Sequence, residues 1–186
     1  MNCTSYFFLP LCLILLVGCS HNQHSNQQNS PYAGQETREI KALSTQEIDG
    51  YLNGRGMGLS KVAELNKYPG PKHVLELADQ LELSDQQREQ TEALFNQMKK
   101  KAVDMGEAYI AKERELNKLF ESEEVSSSSV DSMLVEIGKI KGSLRAVHIK
   151  AHIKMRDILT SGQIKKYDNL RGYGKGDTSH AHQNHS

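Results

Sequence analysis

Apolar residues recur at steps of three and four along two long stretches of the chain, the spacing of one face of an α-helix. The first stretch covers about residues 85–121, and its buried face should comprise Thr91, Leu94, Met98, Ala102, Met105, Tyr109, Leu116 and Leu119. The second covers about residues 130–158, and its face should comprise Val130, Leu134, Ile137, Ile140, Leu144, Val147, Ala151, Met155 and Ile158. Residues 121–129, ESEEVSSSS, supply a turn and several possible N-caps between them. We therefore predict an antiparallel helical hairpin.

Three short helices are predicted around this hairpin, at about residues 44–53, 71–81 and 162–171. Ser44 and Glu47 form a capping-box pattern, and Pro71 stands where a helix tolerates proline in its first turn. No stretch alternates apolar and polar residues as a strand does, so the predicted fold class is all-α. The open side of the hairpin requires cover, which the short helices or a second copy of the chain, in a homodimer, would provide.

The segment NGRGMGL, residues 53–59, separates the first two short helices and carries glycines at 54, 56 and 58. A dinucleotide-binding loop has the spacing Gly-x-Gly-x-x-Gly after a strand, and this segment has neither that spacing nor a strand before it. Lys61 stands three residues beyond the last glycine, which does not suit a phosphate-binding lysine. We predict a flexible connector.

The first eighteen residues carry no charged side chain, and their apolar stretch, residues 6–17, is too short to span a bilayer as a helix. The sequence LVGC at 16–19 resembles the lipobox of bacterial lipoproteins, in which the cysteine is acylated and becomes the first residue. A basic n-region is missing, so an ordinary cleaved secretory signal or a retained apolar segment stays open. We expect a lipoprotein signal peptide at residues 1–18, a lipidated Cys19 and a membrane-anchored protein facing the periplasm. Ser20 favours the outer membrane by analogy with lipoprotein sorting.

The charged residues of the chain balance, with 23 basic and 23 acidic side chains. There is no basic footprint of a nucleic-acid-binding domain, so we expect no nucleic-acid partner. Cys3 and Cys12 would leave with the signal peptide and Cys19 would be lipidated, which excludes disulfides, thiol catalysis and cysteine zinc sites. The expected organisation is a disordered tether over residues 19–42, a helical domain over 43–171 and a flexible tail over 172–186.

A five-residue pattern occurs twice, each time at a predicted helix start: residues 83–87 read LSDQQ and residues 159–163 read LTSGQ. In each copy the hydroxyl can accept a hydrogen bond from the backbone N–H three residues on, while the glutamine accepts one from the N–H of the cap. The preceding leucine can pack back on the new helix as a hydrophobic staple. The six residues of the pattern are Leu83, Ser84, Gln87, Leu159, Thr160 and Gln163.

This pair of motifs around a long helical hairpin resembles the Spy/CpxP family of periplasmic proteins, whose signature is a twice-repeated Leu-Thr-x-x-Gln. The resemblance covers about residues 71–171; the second copy is complete, and the first has Ser84 in place of threonine. It implies a thin helical cradle, usually dimeric. It also implies a stress-induced envelope protein: an ATP-independent chaperone for unfolded proteins, an inhibitor of an envelope-stress sensor kinase, or a zinc-resistance-associated relative. The lipid anchor and the N-terminal extension through Leu65 lie outside the family pattern.

The second long helix carries a local excess of positive charge, with six basic and three acidic side chains between residues 131 and 157. Such charge attracts unfolded chains at long range, and apolar groups beside it hold them loosely. An ordinary solvated face is the alternative, and a methionine on the seam is either an adaptable contact or simply core. The candidates for client binding are Lys139, Arg145, Lys150, Lys154 and Met155.

Histidines indicate a second function. His148 and His152 are four residues apart on one helix, a spacing that lets two imidazoles reach one metal ion. They are either metal ligands or polar residues at the edge of the core, and no cysteine is available to complete a structural zinc site. The tail carries three clustered histidines, which can chelate zinc, copper or nickel without a preformed pocket. These are His180, His182 and His185.

We therefore expect an envelope chaperone or stress-response accessory protein or, alternatively, a metal-binding or metal-sensing protein on the same scaffold. The first function requires no cofactor, whereas the second implies zinc or copper. A purely structural interaction module is a third alternative. No arrangement of Ser, His and Asp follows a catalytic motif, so we do not expect an enzyme.

Overall fold

Six helices are present in the part of the chain that the structure describes. The structure is a computed structural model, and it describes residues 30–174. No strand occurs within these residues, which confirms the predicted all-α fold class. The helices are α1 (Thr45–Leu52), α2 (Lys61–Glu64), α3 (Pro71–Glu76), α4 (Asp85–Glu121), α5 (Ser127–Ile158) and α6 (Ser161–Leu170).

Helices α4 and α5 form the antiparallel hairpin that the apolar spacing predicts. Contacts between them join late residues of α4 to early residues of α5: the Lys112 ammonium lies 3.0 Å from Glu136, and the Tyr109 hydroxyl lies 3.5 Å from the Lys141 ammonium. Ser126 caps α5 through a capping box and starts that helix three residues before the predicted position. The serine run between the helices therefore supplies the predicted N-cap.

Two hydrophobic clusters hold the short elements against the hairpin. In the first, the chain before α1 and α1 itself pack on the middle of α4 and α5; its buried residues are Ile40, Leu43, Tyr51, Ala102, Tyr109, Ile110, Ile137 and Leu144. In the second, α3 and α6 pack where α5 ends; its buried residues are Val74, Leu81, Met155, Leu159 and Tyr167. Each cluster removes apolar surface from water, which stabilises the fold. The short helices thus supply part of the cover that the hairpin requires.

The folded domain begins earlier in the chain than we expected. Ile40 is 1% exposed and belongs to the first cluster. The Lys41 ammonium lies 2.8 Å from the Glu121 carboxylate at the far end of α4. Residues 39–42 therefore belong to the helical domain and not to a tether. A single buried isoleucine after a polar run gives no periodic signal, which is why the sequence did not indicate it.

Two short elements differ from the prediction. Helix α3 ends five residues early, at Glu76, because the chain turns before α4 begins; Glu82 takes a positive φ of 53° in that turn. The connector continues into α2, a helix of four residues that we did not predict. Gly54, at φ +62°, brings the connector against α4, where an added Cβ would lie 3.0 Å from the Lys99 carbonyl oxygen.

Several predicted features lie outside the described residues. These are the signal peptide, the lipidation of Cys19, the tether up to residue 29, and the tail histidines His180, His182 and His185. Within residues 30–174, none of the helices combines the length and apolar character needed to cross a membrane.

Candidate functional site

Both copies of the five-residue motif form capping boxes, as predicted. The Ser84 hydroxyl accepts a hydrogen bond from the Gln87 N–H at 3.2 Å, and the Gln87 side-chain oxygen accepts one from the Ser84 N–H at 3.1 Å. Thr160 and Gln163 repeat this arrangement at 3.2 and 2.9 Å. Leu159 is buried in the second cluster. Leu83 packs against the same cluster while partly exposed.

The two glutamines of the motifs also bind each other, which the sequence did not predict. Each side-chain amide donates to the oxygen of the other at 2.9 Å. Gln87 donates its second N–H to the Ile158 carbonyl at 2.9 Å, and Gln163 donates its second N–H to the Leu81 carbonyl at 3.2 Å. The repeated motif is therefore one structure that joins the start of α4 to the end of α5.

A cavity of about 650 Å³ lies between the connector and the hairpin. Its walls come from the connector, α2, the start of α3, and both long helices. Both predicted metal-ligand candidates on α5, His148 and His152, line this cavity. They are 2% and 7% exposed, so neither is a polar residue at the edge of the core.

His152 is held in a fixed orientation by two hydrogen bonds. Its Nδ1 lies 2.8 Å from the Tyr68 carbonyl oxygen, which can only accept, so Nδ1 carries the proton. Its Nε2 lies 2.8 Å from the Ser60 hydroxyl and therefore accepts from that group. Burial lowers the pKa of His152, although the Tyr68 carbonyl and the Glu64 carboxylate act in the opposite direction. The ring is neutral at neutral pH, with its Nε2 lone pair directed at Ser60.

His148 has a polar atom without a partner. Its Nε2 is buried and makes no hydrogen bond to any group within residues 30–174. Burial is the main cause that lowers the pKa of this imidazole, and the neighbouring His152 adds to it. A buried polar group without a protein partner costs stability, so this nitrogen is available to a bound water or ion.

The remaining donors around the histidine pair are few. No group of three His, Cys, Asp or Glu side chains within residues 30–174 is arranged to hold a metal ion. The Glu64 carboxylate lies 3.6 Å from the Nδ1 of His152, and it also accepts from the Tyr167 hydroxyl and, at 3.2 Å, from the Gly70 N–H. The thioethers of Met57 and Met98 also line the cavity.

The basic residues of α5 that we predicted to bind a client protein fall into two sets, according to whether they line a groove. Lys150 and Lys154 line a groove of about 330 Å³ whose walls come only from α4 and α5. Its floor includes Leu94 and Val147, which are partly buried, and Lys101 of α4 adds a third ammonium group. Lys139 and Arg145 are exposed and do not line it.

Met155 is not a client-binding residue. It is fully buried, at 0% exposure, and packs in the second hydrophobic cluster. On α5 it lies seven residues beyond His148, on the side of the helix that faces α4 and α6. A methionine on the apolar face of α5 is either an adaptable contact for a client or part of the core, and Met155 is part of the core.

Sequence reasoning missed the partners of the histidine pair. Ser60 and Tyr68 reach His152 from 92 and 84 positions away, and Met98 reaches the cavity from the other long helix. No local spacing signals such contacts. The glycine-rich connector was one available signal, since its close approach to the hairpin forms one wall of the cavity.

One family model, described as heavy-metal resistance, matches residues 68–166, or 99 of the 186 residues. The chain therefore belongs to the heavy-metal resistance family, whose members group with the Spy/CpxP-like helical proteins. The matched segment begins at Tyr68, includes both glutamine motifs and contains His148 and His152. Neither a search of curated proteins nor a search of solved structures found a match to the chain.

Proposed function

We propose that this protein binds a heavy-metal ion at His148 and His152 as part of heavy-metal resistance in the cell envelope. The observation that carries the proposal is the buried Nε2 of His148, which has no partner among the described residues and belongs to a side chain lining the same cavity as His152. Membership of the heavy-metal resistance family supports it. The predicted lipoprotein signal and Cys19 place this function, in our proposal, on a membrane-anchored protein facing the periplasm.

The environment of His152 suits a metal ligand. An imidazole that binds a metal through one nitrogen usually donates its other N–H to a carbonyl or carboxylate, which fixes the ring and its tautomer. His152 has this arrangement, because its Nδ1–H donates to the Tyr68 carbonyl. The Ser60 hydroxyl donates a hydrogen bond to the Nε2 lone pair of His152. Rotation of the Ser60 side chain would free that lone pair for a metal ion.

The donor set fits a borderline or soft metal ion. Neutral imidazole is a ligand for zinc, copper and nickel, and both histidines have a lowered pKa that keeps them neutral. The tail histidines His180, His182 and His185 would act as a second, mobile chelator. Zinc binding by a chain truncated after Tyr173 tests that role. Unchanged zinc affinity would show that the tail histidines do not act as a chelator.

Metal affinity in three single variants of the full chain tests the proposed site. We expect His148→Gln and His152→Gln each to weaken binding of zinc or copper by about tenfold or more, since even the loss of an outer-shell partner has an effect of that size. His73→Gln is the matched control. It removes a histidine that lines the same cavity but is paired with Glu76 at 2.8 Å. Equal affinity in all three variants and the wild type would contradict the proposal.

The groove between α4 and α5 favours a second candidate function, an ATP-independent chaperone or an envelope-stress accessory of the Spy/CpxP type. Its apolar floor and its three lysines suit unfolded or envelope proteins that carry apolar and acidic side chains. Regulatory contact with a sensor kinase would use the same surface. We further propose a homodimer, which light scattering on the purified chain tests.

An aggregation assay separates the two candidates. The full chain is mixed with an unfolded client, with and without zinc. Suppression that is independent of metal supports the chaperone function, and suppression only with metal supports the metal function. Within the assay, Lys150→Glu with Lys154→Glu should abolish metal-independent suppression. Lys139→Glu with Arg145→Glu is the matched control, because it makes the same charge change on α5 outside the groove.

A further inference from the structure

We infer that the histidine cavity selects soft monovalent metal ions, copper(I) above all, with the Met98 thioether as the third donor beside the two imidazoles. This selectivity presupposes the metal site proposed above and adds the chemical class of the ion. Three features of the cavity support it: the position of Met98, the shortage of hard ligands, and the surrounding charge.

Met98 is a buried methionine outside both hydrophobic clusters. It is 8% exposed, yet it is not among the residues of the first or the second cluster. Instead it lines the histidine cavity on one side and the α4–α5 groove on the other. Met98 therefore shares the lining of one cavity with His148 and His152.

A second thioether borders the same cavity from the connector. Met57 takes a positive φ of 43°, an uncommon conformation for a residue other than glycine. Its sulfur packs closely on Gly50 of α1. Met57 therefore borders the cavity from the connector, whereas Met98 borders it from a rigid helix.

Hard ligands are scarce at this site. Within residues 30–174, the two histidines are not joined by a third His, Cys, Asp or Glu in a metal-binding arrangement. The nearby Glu64 carboxylate already accepts from the Tyr167 hydroxyl and the Gly70 N–H. Zinc usually requires four nitrogen, thiolate or oxygen ligands, whereas thioethers select copper(I). Two imidazoles and a thioether therefore fit copper(I) better than zinc.

The charge around the cavity also favours a single positive charge over a double one. Four basic side chains line it, of which Arg55 is paired with Asp49 and Lys72 with Glu76. Lys61 and Lys99 remain, and among the described residues Glu64 is the only carboxylate in the lining. Repulsion by a net positive surrounding doubles when the charge of the ion doubles, so divalent ions are disfavoured more strongly.

Competition for copper(I) under anaerobic conditions, with a chromophoric copper(I) chelator and the full chain, tests the inference. Zinc affinity is measured in parallel with a zinc indicator. Met98→Leu conserves volume, so the fold should persist. We expect it to weaken copper(I) binding by about tenfold and to leave zinc binding unchanged. The control is Met105→Leu, on the same helix but packed against the first cluster, which should change neither affinity.

The outcomes distinguish this inference from the proposed function. If Met98→Leu binds copper(I) like the wild type, or weakens zinc binding equally, the copper(I) selectivity is wrong, while a loss of zinc binding in His148→Gln still supports the metal site. If His148→Gln changes the affinity for neither ion, the proposed function fails and the selectivity fails with it. X-ray absorption at the copper edge provides an independent readout, because sulfur scattering should be present in the wild type and absent or reduced in Met98→Leu.

Discussion

Gln87 and Gln163 donate side-chain hydrogen bonds to each other at 2.9 Å in both directions, across 76 positions of sequence. Each glutamine oxygen also accepts from the N–H of its own cap, and each amide donates once more to a backbone carbonyl. The two amides are thus engaged on both their donor and acceptor sides. The repeated motif clamps the open end of the hairpin and carries no reactive group, which leaves the chemistry to the histidine cavity.

Removing one member of this pair should destabilise the whole domain. Gln87→Ala deletes both crossing hydrogen bonds and leaves part of the Gln163 amide without a partner, at a cost of about 2 kcal/mol. Urea unfolding followed by circular dichroism measures the change. The exposed neighbour Gln86 provides the control, since Gln86→Ala should change the free energy of unfolding by less than about 0.5 kcal/mol. Equal losses in the two variants would show that the clamp contributes nothing.

The Thr160 cap makes a smaller, local contribution. Thr160→Ala removes the hydroxyl that accepts from the Gln163 N–H and should cost about 1 kcal/mol of stability. Thr160→Ser keeps the hydroxyl and should retain most of that stability. Metal affinity should be the same in both variants, because the cap is not part of the cavity. A loss of metal binding that exceeds the loss of stability would contradict the assignment of this motif as a structural joint.

Two glycines in the hairpin should respond in opposite directions to alanine. A Cβ at Gly106 would lie 2.6 Å from the Tyr51 carbonyl oxygen, so Gly106→Ala must push α1 away from α4 and should cost about 1–3 kcal/mol. Gly142 has no neighbour within 4 Å of an added Cβ, and Gly142→Ala should stabilise α5 by about 0.5–1 kcal/mol. Thermal unfolding of both variants measures the effects. Equal signs would contradict the packing of α1 on α4.

The buried histidines should make the fold less stable in mild acid. Burial lowers the pKa of His148 and His152 below the ordinary value of 6.5, which the unfolded chain retains. Below pH 6.5 the unfolded chain takes up protons that the folded chain does not, so stability is present above that pH and is lost as the pH falls. We expect metal-free protein to be less stable at pH 5.5 than at pH 7.5.

The variant His148→Gln should show a smaller loss of stability over this pH range, because one of the two titrating imidazoles is gone. Urea unfolding of the variant and the wild type at both pH values makes the comparison. A loss in His148→Gln as large as that in the wild type would exclude His148 as a cause of the pH dependence.

Sequence periodicity predicted the hairpin and the caps because both depend on residues close together in the chain. Ser84 and Thr160 need only the glutamine three residues on, and the long apolar faces repeat over many turns. The site depends instead on distant contacts, such as that between Ser60 and His152 across 92 positions. The contact between Gln87 and Gln163 likewise joins residues 76 positions apart, which no local pattern indicates.

The central claim is that His148 and His152 bind a metal ion through their Nε2 atoms, and nitrogen NMR of the imidazoles tests it most directly. In full chain labelled with ¹⁵N at histidine, addition of zinc or copper(I) should shift the Nε2 signals of His148 and His152, while Nδ1 of His152 stays protonated through its bond to Tyr68. If both Nε2 signals stay unchanged while other histidine signals shift, the metal binds elsewhere and the proposed site is wrong.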